Sequence, residues 1–381
     1  MPTQNNEFNP QRLKLALELK RWTQKKLAAK MDITSTTLSL IMNAKLPFST
    51  AHAETASMAT GLPLNFFVLP SQAISPDQLT FRKTSNVSRT RIKSMSAEYS
   101  LMESAVTSLG KMCRTDRRAD WIDNLAPNTS PTSTDIEELA QATRKQLGIT
   151  ARGRVDNVIR SLEKGGIVIA AMATAPSEDP TQNAKMEGVT HPQSTNAPLT
   201  IGYFPGARPG DGTRFTIAHE LGHAILQRKR HPVSGKVTEA EASAFASAFL
   251  LPKYDAFAAI RPSMKLMEYA DVKAQWGISI AAAVRRARDL DIITPDRYKS
   301  LQIQINQMHW RRAEPVTVEQ EHPIYLKQLV GSALGTIKTA TEVSVAPPAV
   351  EQYLGLPFDM VSAWADGLTP EKNDWNDFDF Q

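Results

Sequence analysis

The chain has one cysteine, Cys113, among its 381 residues. A single thiol excludes an intrachain disulfide and any metal site built from several thiolates. With no motif partner, Cys113 reads as a small buried hydrophobe. Long apolar runs are also missing. The longest, near residues 165–175, is shorter than the roughly 20 residues that a membrane helix needs. The first ten residues, Met-Pro-Thr-Gln-Asn-Asn-Glu-Phe-Asn-Pro, lack the basic-plus-apolar pattern of a secretory signal. These absences lead us to expect a cytoplasmic protein with no membrane partner. A large charge excess is lacking too, since the net charge is +5, with 41% hydrophobic and 22% charged residues. That balance is ordinary for a soluble protein, and the length suits two or three domains with a sizeable core.

The charge is unevenly placed. Residues 1–70 hold eight Lys/Arg against four Asp/Glu, and residues 82–93 add five more bases with no acid. The last thirty-one residues hold seven acids and one lysine, and end Asp-Trp-Asn-Asp-Phe-Asp-Phe-Gln. A basic front and an acidic tail suggest nucleic acid near the N-terminus. A solvated charge bias would give the same count.

The most informative motif is His219-Glu220-Leu221-Gly222-His223, inside a stretch from Arg214 to Arg228 that has no proline and reads as a helix. Histidines four apart lie one turn above the other on one helix face and can converge on one Zn²⁺. Glu220 flanks that face, where it can accept a proton from an attacking water. Phe215, Ala218, Leu221, Ala224, Ile225 and Leu226 make a thick apolar stripe, so the helix is expected to be buried, and buried histidines need partners. A peptidase site of this kind needs a third protein ligand. The next helical stretch, from Thr238 to Leu251, offers Glu239 and Glu241. Glu241 shares a face with Phe245, Ala248 and Phe249, and a carboxylate on a buried face should be paired or metal-bound. Glu241 is therefore the expected third ligand, ahead of Glu239.

Arg-Phe-Thr-Ile-Ala-His-Glu-Leu-Gly-His, followed by Glu-Ala-Glu-Ala-Ser-Ala-Phe-Ala-Ser-Ala-Phe-Leu-Leu-Pro, resembles the ImmA/IrrE family of zinc metallopeptidases. The likeness extends upstream through residues 154–169 and downstream through 276–290, covering roughly residues 130–310. It implies that His219, His223 and Glu241 hold zinc and that Glu220 is the base. Ser243 stands where the family commonly has Asn, and Gln227 where another His often follows.

The N-terminus carries a second pattern. A first helix is set by Leu13, Ala16 and Leu17. A second begins after Thr23 as N-cap, and a third runs over 34–43 after a short turn at Asp32-Ile33. Apolar Leu27, Ala28, Ile33, Leu38 and Ile41 suit a helix-turn-helix, which residues 56–67 would close. Over residues 10–70 this resembles lambda-repressor-like (XRE-type) DNA-binding domains. The likeness implies that Ser35, Thr36, Thr37 and Ser39 face the groove, with Gln24 near the backbone. The expected recognition helix has hydroxyls but no Arg, and lacks Asn or Gln before Asn43, the residue types that make bidentate base contacts. A dimerisation or protein-docking module of the same fold is the competing reading.

Elsewhere, residues 70–88 read as a linker. Helices are expected near 91–112, 134–147 and 156–164, and short strands at 167–171, 186–190 and 197–204 ahead of the metal helix. Residues 175–185 read as a surface loop. Residues 276–298 have a helix-turn-helix shape with Arg285, Arg286 and Arg288 exposed, and are taken as structural. Tyr203, His191, Arg214 and His231 are weak candidates for oxyanion stabilisation.

The expected fold is therefore α+β and mostly helical. An all-α helix-turn-helix bundle (1–70) and a basic linker with a helical segment (71–130) come first. A zincin-like metallopeptidase domain with a small sheet (131–312) and a C-terminal extension with an acidic tail (313–381) follow. The expected function is a zinc-dependent endopeptidase acting as a regulator. It would cleave a repressor or antitoxin-like protein in a stress, prophage or mobile-element circuit, bind DNA through the N-terminal domain, and form a homodimer. Two other readings share these residues: a transcription regulator with a structural or sensory metal site, and a toxin component.

Overall fold

The computed structural model describes residues 8–70, 73–83, 87–115, 119–172, 186–194, 198–206 and 208–371. The loop expected at 175–185 and the acidic tail from residue 372 lie outside them. The fold is α+β and mostly helical, as expected, and two apolar cores organise it.

The first core begins with α1 (Gln11–Lys20), α2 (Gln24–Lys30), α3 (Ser35–Met42) and α4 (Thr50–Thr60). Each of the last three starts at a hydroxyl that accepts a hydrogen bond from a backbone N–H of the first turn: Thr23 from Lys26, Thr34 from Thr37, Ser49 from His52. Such caps satisfy amides that the helix leaves without partners. Residues 31–34 link α2 to α3, with Asp32 in the left-handed region at φ 53°. Leu13, Leu27, Leu38, Ile41, Phe66 and Phe67 fill the bundle interior.

The bundle is not set apart from the rest. The 24-residue α5 (Arg89–Met112) packs against α1, and its Tyr99, Met102, Val106 and Leu109 share the same core. The C-terminal extension joins there through α15 (Tyr325–Leu334), α16 (Pro347–Leu354) and α17 (Phe358–Trp364). The Trp364 indole donates to the buried Glu98 carboxylate on α5 at 2.9 Å. Cys113, half-buried, lines this core as a small apolar side chain.

The second core holds α6 (Trp121–Leu125), α7 (Ser133–Gln146), α8 (Val158–Lys164), α9 (Gly210–Leu226) and α10 (Lys236–Leu250). It also holds α11 (Lys253–Ala259), α12 (Tyr269–Trp276), α13 (Ile280–Asp289) and α14 (Pro295–Gln307). Residues 314–325 stitch this part to the C-terminal extension. Glu314 accepts from Lys273 at 2.7 Å and from the Ile280 amide, and Glu321 pairs with the buried Arg214. Glu163 accepts from the Ile324 and Tyr325 amides at 2.8 Å each. In α13, Arg285 is exposed. Arg286, expected outside, is buried against Glu137 and the Leu251 carbonyl, so this segment is part of the packing.

Four strands make the sheet that covers α9: β1 (Thr80–Lys83), β2 (Val168–Ala171), β3 (Met186–Thr190) and β4 (Thr200–Tyr203), in the order β1-β3-β4-β2. β2 and β4 are parallel; β3 runs antiparallel to both β4 and β1. The three strands expected ahead of the metal helix are present. β1 corrects the reading of 70–88 as a linker. Leu79 and Phe81 are buried in the first core while the backbone of 80–83 pairs with β3, a role that local composition does not signal. A smaller sheet, β5 (Gly335–Ile337), β6 (Val343–Val345) and β7 (Thr369–Pro370), belongs to the C-terminal extension.

Candidate metal centre

α9 is buried almost all round, between the sheet above and α10 below. The helices approach closely because small residues face each other. A Cβ at Gly222 would lie 3.1 Å from the Ala242 carbonyl and the Phe245 ring. This packing holds His219 and His223 at 1% and 0% exposure, with ring centroids 4.7 Å apart.

The third member of the group is Glu239. Its carboxylate oxygens lie 3.3 Å from His219 Nε2 and 3.3 Å from His223 Nε2. One ligand atom from each of the three lies within 4.8 Å of the others. The structure brings Glu239, and not the expected Glu241, to the two histidines. Residues two apart on a helix are turned about 200° from each other, so Glu239 and Glu241 face opposite ways. Glu241 is buried as anticipated, but both its oxygens accept from Arg230 at 3.0 Å, and Oε2 also accepts from Gln227 at 3.2 Å. Burial required a partner, and that partner is a guanidinium on the loop after α9. Glu239, with a side chain 36% exposed, opens instead onto a cleft of about 1470 Å³ lined by Phe215, Ser243, Tyr254, Phe257 and Arg285.

The remote ring nitrogens are also held. His223 Nδ1 lies 2.8 Å from Gln227 Oε1, an oxygen that only accepts, so the ring donates there through Nδ1 and turns Nε2 toward Glu239. His219 Nδ1 lies 3.3 Å from Ser243 Oγ. Gln227 and Ser243, the two departures from the family pattern, thus orient the two imidazoles. Ser243 follows Glu239 by one helical turn, so the spacing Glu-x-x-x-Ser is the sequence signal that marks this face of α10.

Electrostatics tie the group together. Burial raises the pKa of Glu239, but hydrogen bonds from His219 and His223 outweigh it and hold the carboxyl far below its usual range. Burial likewise disfavours a proton on His223. The bond to Glu239 and the charges of Glu220 and Glu239 prevail, leaving that pKa raised. Two imidazole nitrogens and a carboxylate gathered around one point, with both rings oriented from behind, are a donor set that suits zinc.

Glu220 lies between the helix and the sheet, at 0% exposure. Its Oε2 accepts from Thr80 Oγ1 on β1 at 3.0 Å. Gly188 on β3 lies so near that a Cβ there would be 2.8 Å from Glu220 Cγ and Oε1. Sequence reading missed both neighbours, because nothing local marks a threonine some 140 residues upstream or a mid-strand glycine as part of the site.

The weak oxyanion candidates are engaged elsewhere or apart from the site. Arg214 binds the carbonyls of Val155, Asp156 and Gly277 together with Glu321. His191 faces Glu103 at 3.4 Å. Burial pushes the Tyr203 hydroxyl pKa up, with Asp366 and Glu163 nearby. His231 is exposed on the loop after α9. In the N-terminal bundle, Gln24, Ser35 and Thr36 are exposed and Thr37 and Ser39 partly so. The Thr37 hydroxyl shares a 2.8 Å hydrogen bond with Thr34, and the Ser39 carbonyl accepts from Asn43 at 2.8 Å.

No curated protein matches the chain. Residues 209–288, which carry α9, α10 and all three members of the group, match the peptidase family described as the IrrE N-terminal-like domain, and this supports a metallopeptidase of the ImmA/IrrE type over that part of the chain.

Proposed function

We propose that the chain is a zinc-dependent endopeptidase in which His219, His223 and Glu239 hold the metal and Glu220 is the general base. The observation that carries this reading is the convergence of both Nε2 atoms on the Glu239 carboxylate, with Gln227 and Ser243 orienting the rings from behind. A zinc ion held there supplies Lewis acidity, polarising a peptide carbonyl and making water acidic near neutral pH. The residues do the rest. Glu220, kept from bulk solvent by β1 and β3, accepts the proton of the attacking water and can return it to the leaving amine. The cleft beside Glu239 gives a polypeptide an approach, with Tyr254 and Phe257 exposed along it for apolar contact.

The regulatory part of the reading rests on the N-terminal bundle and its exposed hydroxyl-bearing α3. We take the substrate to be a repressor or antitoxin-like protein in a stress, prophage or mobile-element circuit, with DNA bound weakly through the bundle. A homodimer would raise the avidity of that DNA binding. A cytoplasmic setting fits such a circuit, and among the described residues no helix is long and apolar enough to cross a membrane. Glu220→Gln tests the catalytic claim. The variant should keep about one zinc per chain and its fold, while the intact mass of a co-expressed partner protein shows no cleavage. If Glu220→Gln behaves as wild type in cells, hydrolysis is not the output, and a metal-sensing regulator takes its place.

A further inference from the structure

We propose that β1 is an internal occupant of the edge along which a substrate strand must lie, so that residues 80–83 have to leave β3 before another polypeptide reaches Glu220. The inference rests on the endopeptidase reading above.

β3 packs on the base, since Gly188 sits directly against the Glu220 side chain. An extended peptide that reaches Glu220 by backbone pairing would run along the outer edge of β3. That edge is taken: Thr80 is in register with Thr190, Phe81 with Val189 and Arg82 with Gly188, antiparallel. The occupant also engages the chemistry. Thr80 Oγ1 donates to Glu220 Oε2, an oxygen the base would use to accept a proton, and both residues are fully buried. The same hydroxyl accepts from the Thr190 amide at 3.3 Å and lies 3.2 Å from the Thr190 carbonyl, so it is pinned in place. A peptide added outside β1 would lie one strand spacing further out, about 4.8 Å, with Thr80 still over Glu220. Only displacement brings a foreign backbone to the base.

The strap is also tied to the other half of the molecule. Leu79 and Phe81 pack into the core that the N-terminal bundle shares with α5, so β1 bridges that core and the site. A tethered segment competes as if present at about millimolar concentration. For a peptide whose own Kd is about 100 µM, occupation by the strap weakens apparent affinity about tenfold.

The test uses the full chain without metal, so that it does not depend on turnover. A fluorescein-labelled synthetic copy of residues 77–85 is titrated by fluorescence polarisation. The targets are wild type and a variant carrying Thr80→Gly, Phe81→Ser, Arg82→Gly and Lys83→Ser. The folded variant should bind the peptide about tenfold more tightly than wild type. In wild type, saturating peptide should accelerate hydrogen exchange at the amides of 80–83 while those of β3 stay protected. The exchange measurement stands alone if the variant does not fold. Unchanged exchange at 80–83 with peptide bound, or a folded variant that binds no tighter, overturns the proposal. A variant that loses hydrolysis without gaining affinity also overturns it, since β1 would then support Glu220 rather than exclude a substrate. Peptide displacement without any hydrolysis by the zinc-loaded chain would instead sink the endopeptidase reading and leave the strap standing.

Discussion

Gln227→Leu should separate the contribution of ring orientation from that of ligation. Gln227 is fully buried, accepts from His223 Nδ1 at 2.8 Å and donates to Glu241 at 3.2 Å. Leucine fills similar space but removes both bonds. Losing an outer partner of a ligating imidazole typically costs 10–100-fold in metal affinity, or about 1.4–2.8 kcal/mol. The metal-free fold should also weaken by about 2 kcal/mol, because a buried ring N–H is left unsatisfied while Glu241 keeps Arg230. Gln227→Glu provides the contrast. Its carboxylate can still accept from Nδ1, so zinc affinity should persist. It also sets a second carboxylate against Glu241, so stability should fall. Zinc affinity is read by competition with a chromophoric chelator, and stability by denaturant unfolding of the metal-free chain. If Gln227→Leu binds zinc as tightly as wild type, the bond to Gln227 does not orient His223 and the ring-orientation argument fails.

The remaining predictions concern the base, pH and the bundle. Gly188→Ala should push the Glu220 carboxylate out of place, at a packing cost of about 1–3 kcal/mol; cleavage should drop while zinc content stays near one per chain, and unimpaired cleavage would contradict the packing of β3 on Glu220. Proton and zinc compete for His223 Nε2, and the His223 pKa is raised despite burial; zinc affinity should therefore begin to fall on acidification while the pH is still above the usual imidazole value of about 6.5. In the metal-free chain the same shift contributes stability below the unfolded-state pKa that is lost as pH rises through the folded one; a denaturation midpoint that does not fall as pH is raised above about 6.5 would oppose it. Thr36→Glu with Thr37→Glu should abolish a low-salt gel shift on DNA upstream of the gene and leave zinc binding intact; no shift by wild type even at low salt would make the bundle a protein-docking module.

Much of the fold could be read from the chain because it is written locally. Thr23 and Thr34 mark helix starts through their own hydroxyls, and the apolar period of residues 13–41 gives the bundle. The histidine pair and Glu220 were legible because one helix sets their spacing. The strap was not, because β1 is a strand only through its pairing with β3, about 110 residues away. The carboxylate that lies beside the histidines was hidden for a related reason. Burial and periodicity identify Glu241 as a carboxylate that needs a partner, but they do not say which, and Arg230 becomes available only once the loop after α9 folds back. An open metal site also favours a half-exposed carboxylate at the cleft wall over one sealed in the core, and Glu239 has that position.

The most direct measurement is therefore a zinc titration of the full-length wild type beside Glu239→Gln and Glu241→Gln, with metal content measured on the same samples. The account predicts about one tightly bound zinc for wild type, loss of tight binding in Glu239→Gln, and retained binding with reduced stability in Glu241→Gln. Tight binding by Glu239→Gln together with its loss in Glu241→Gln would contradict it.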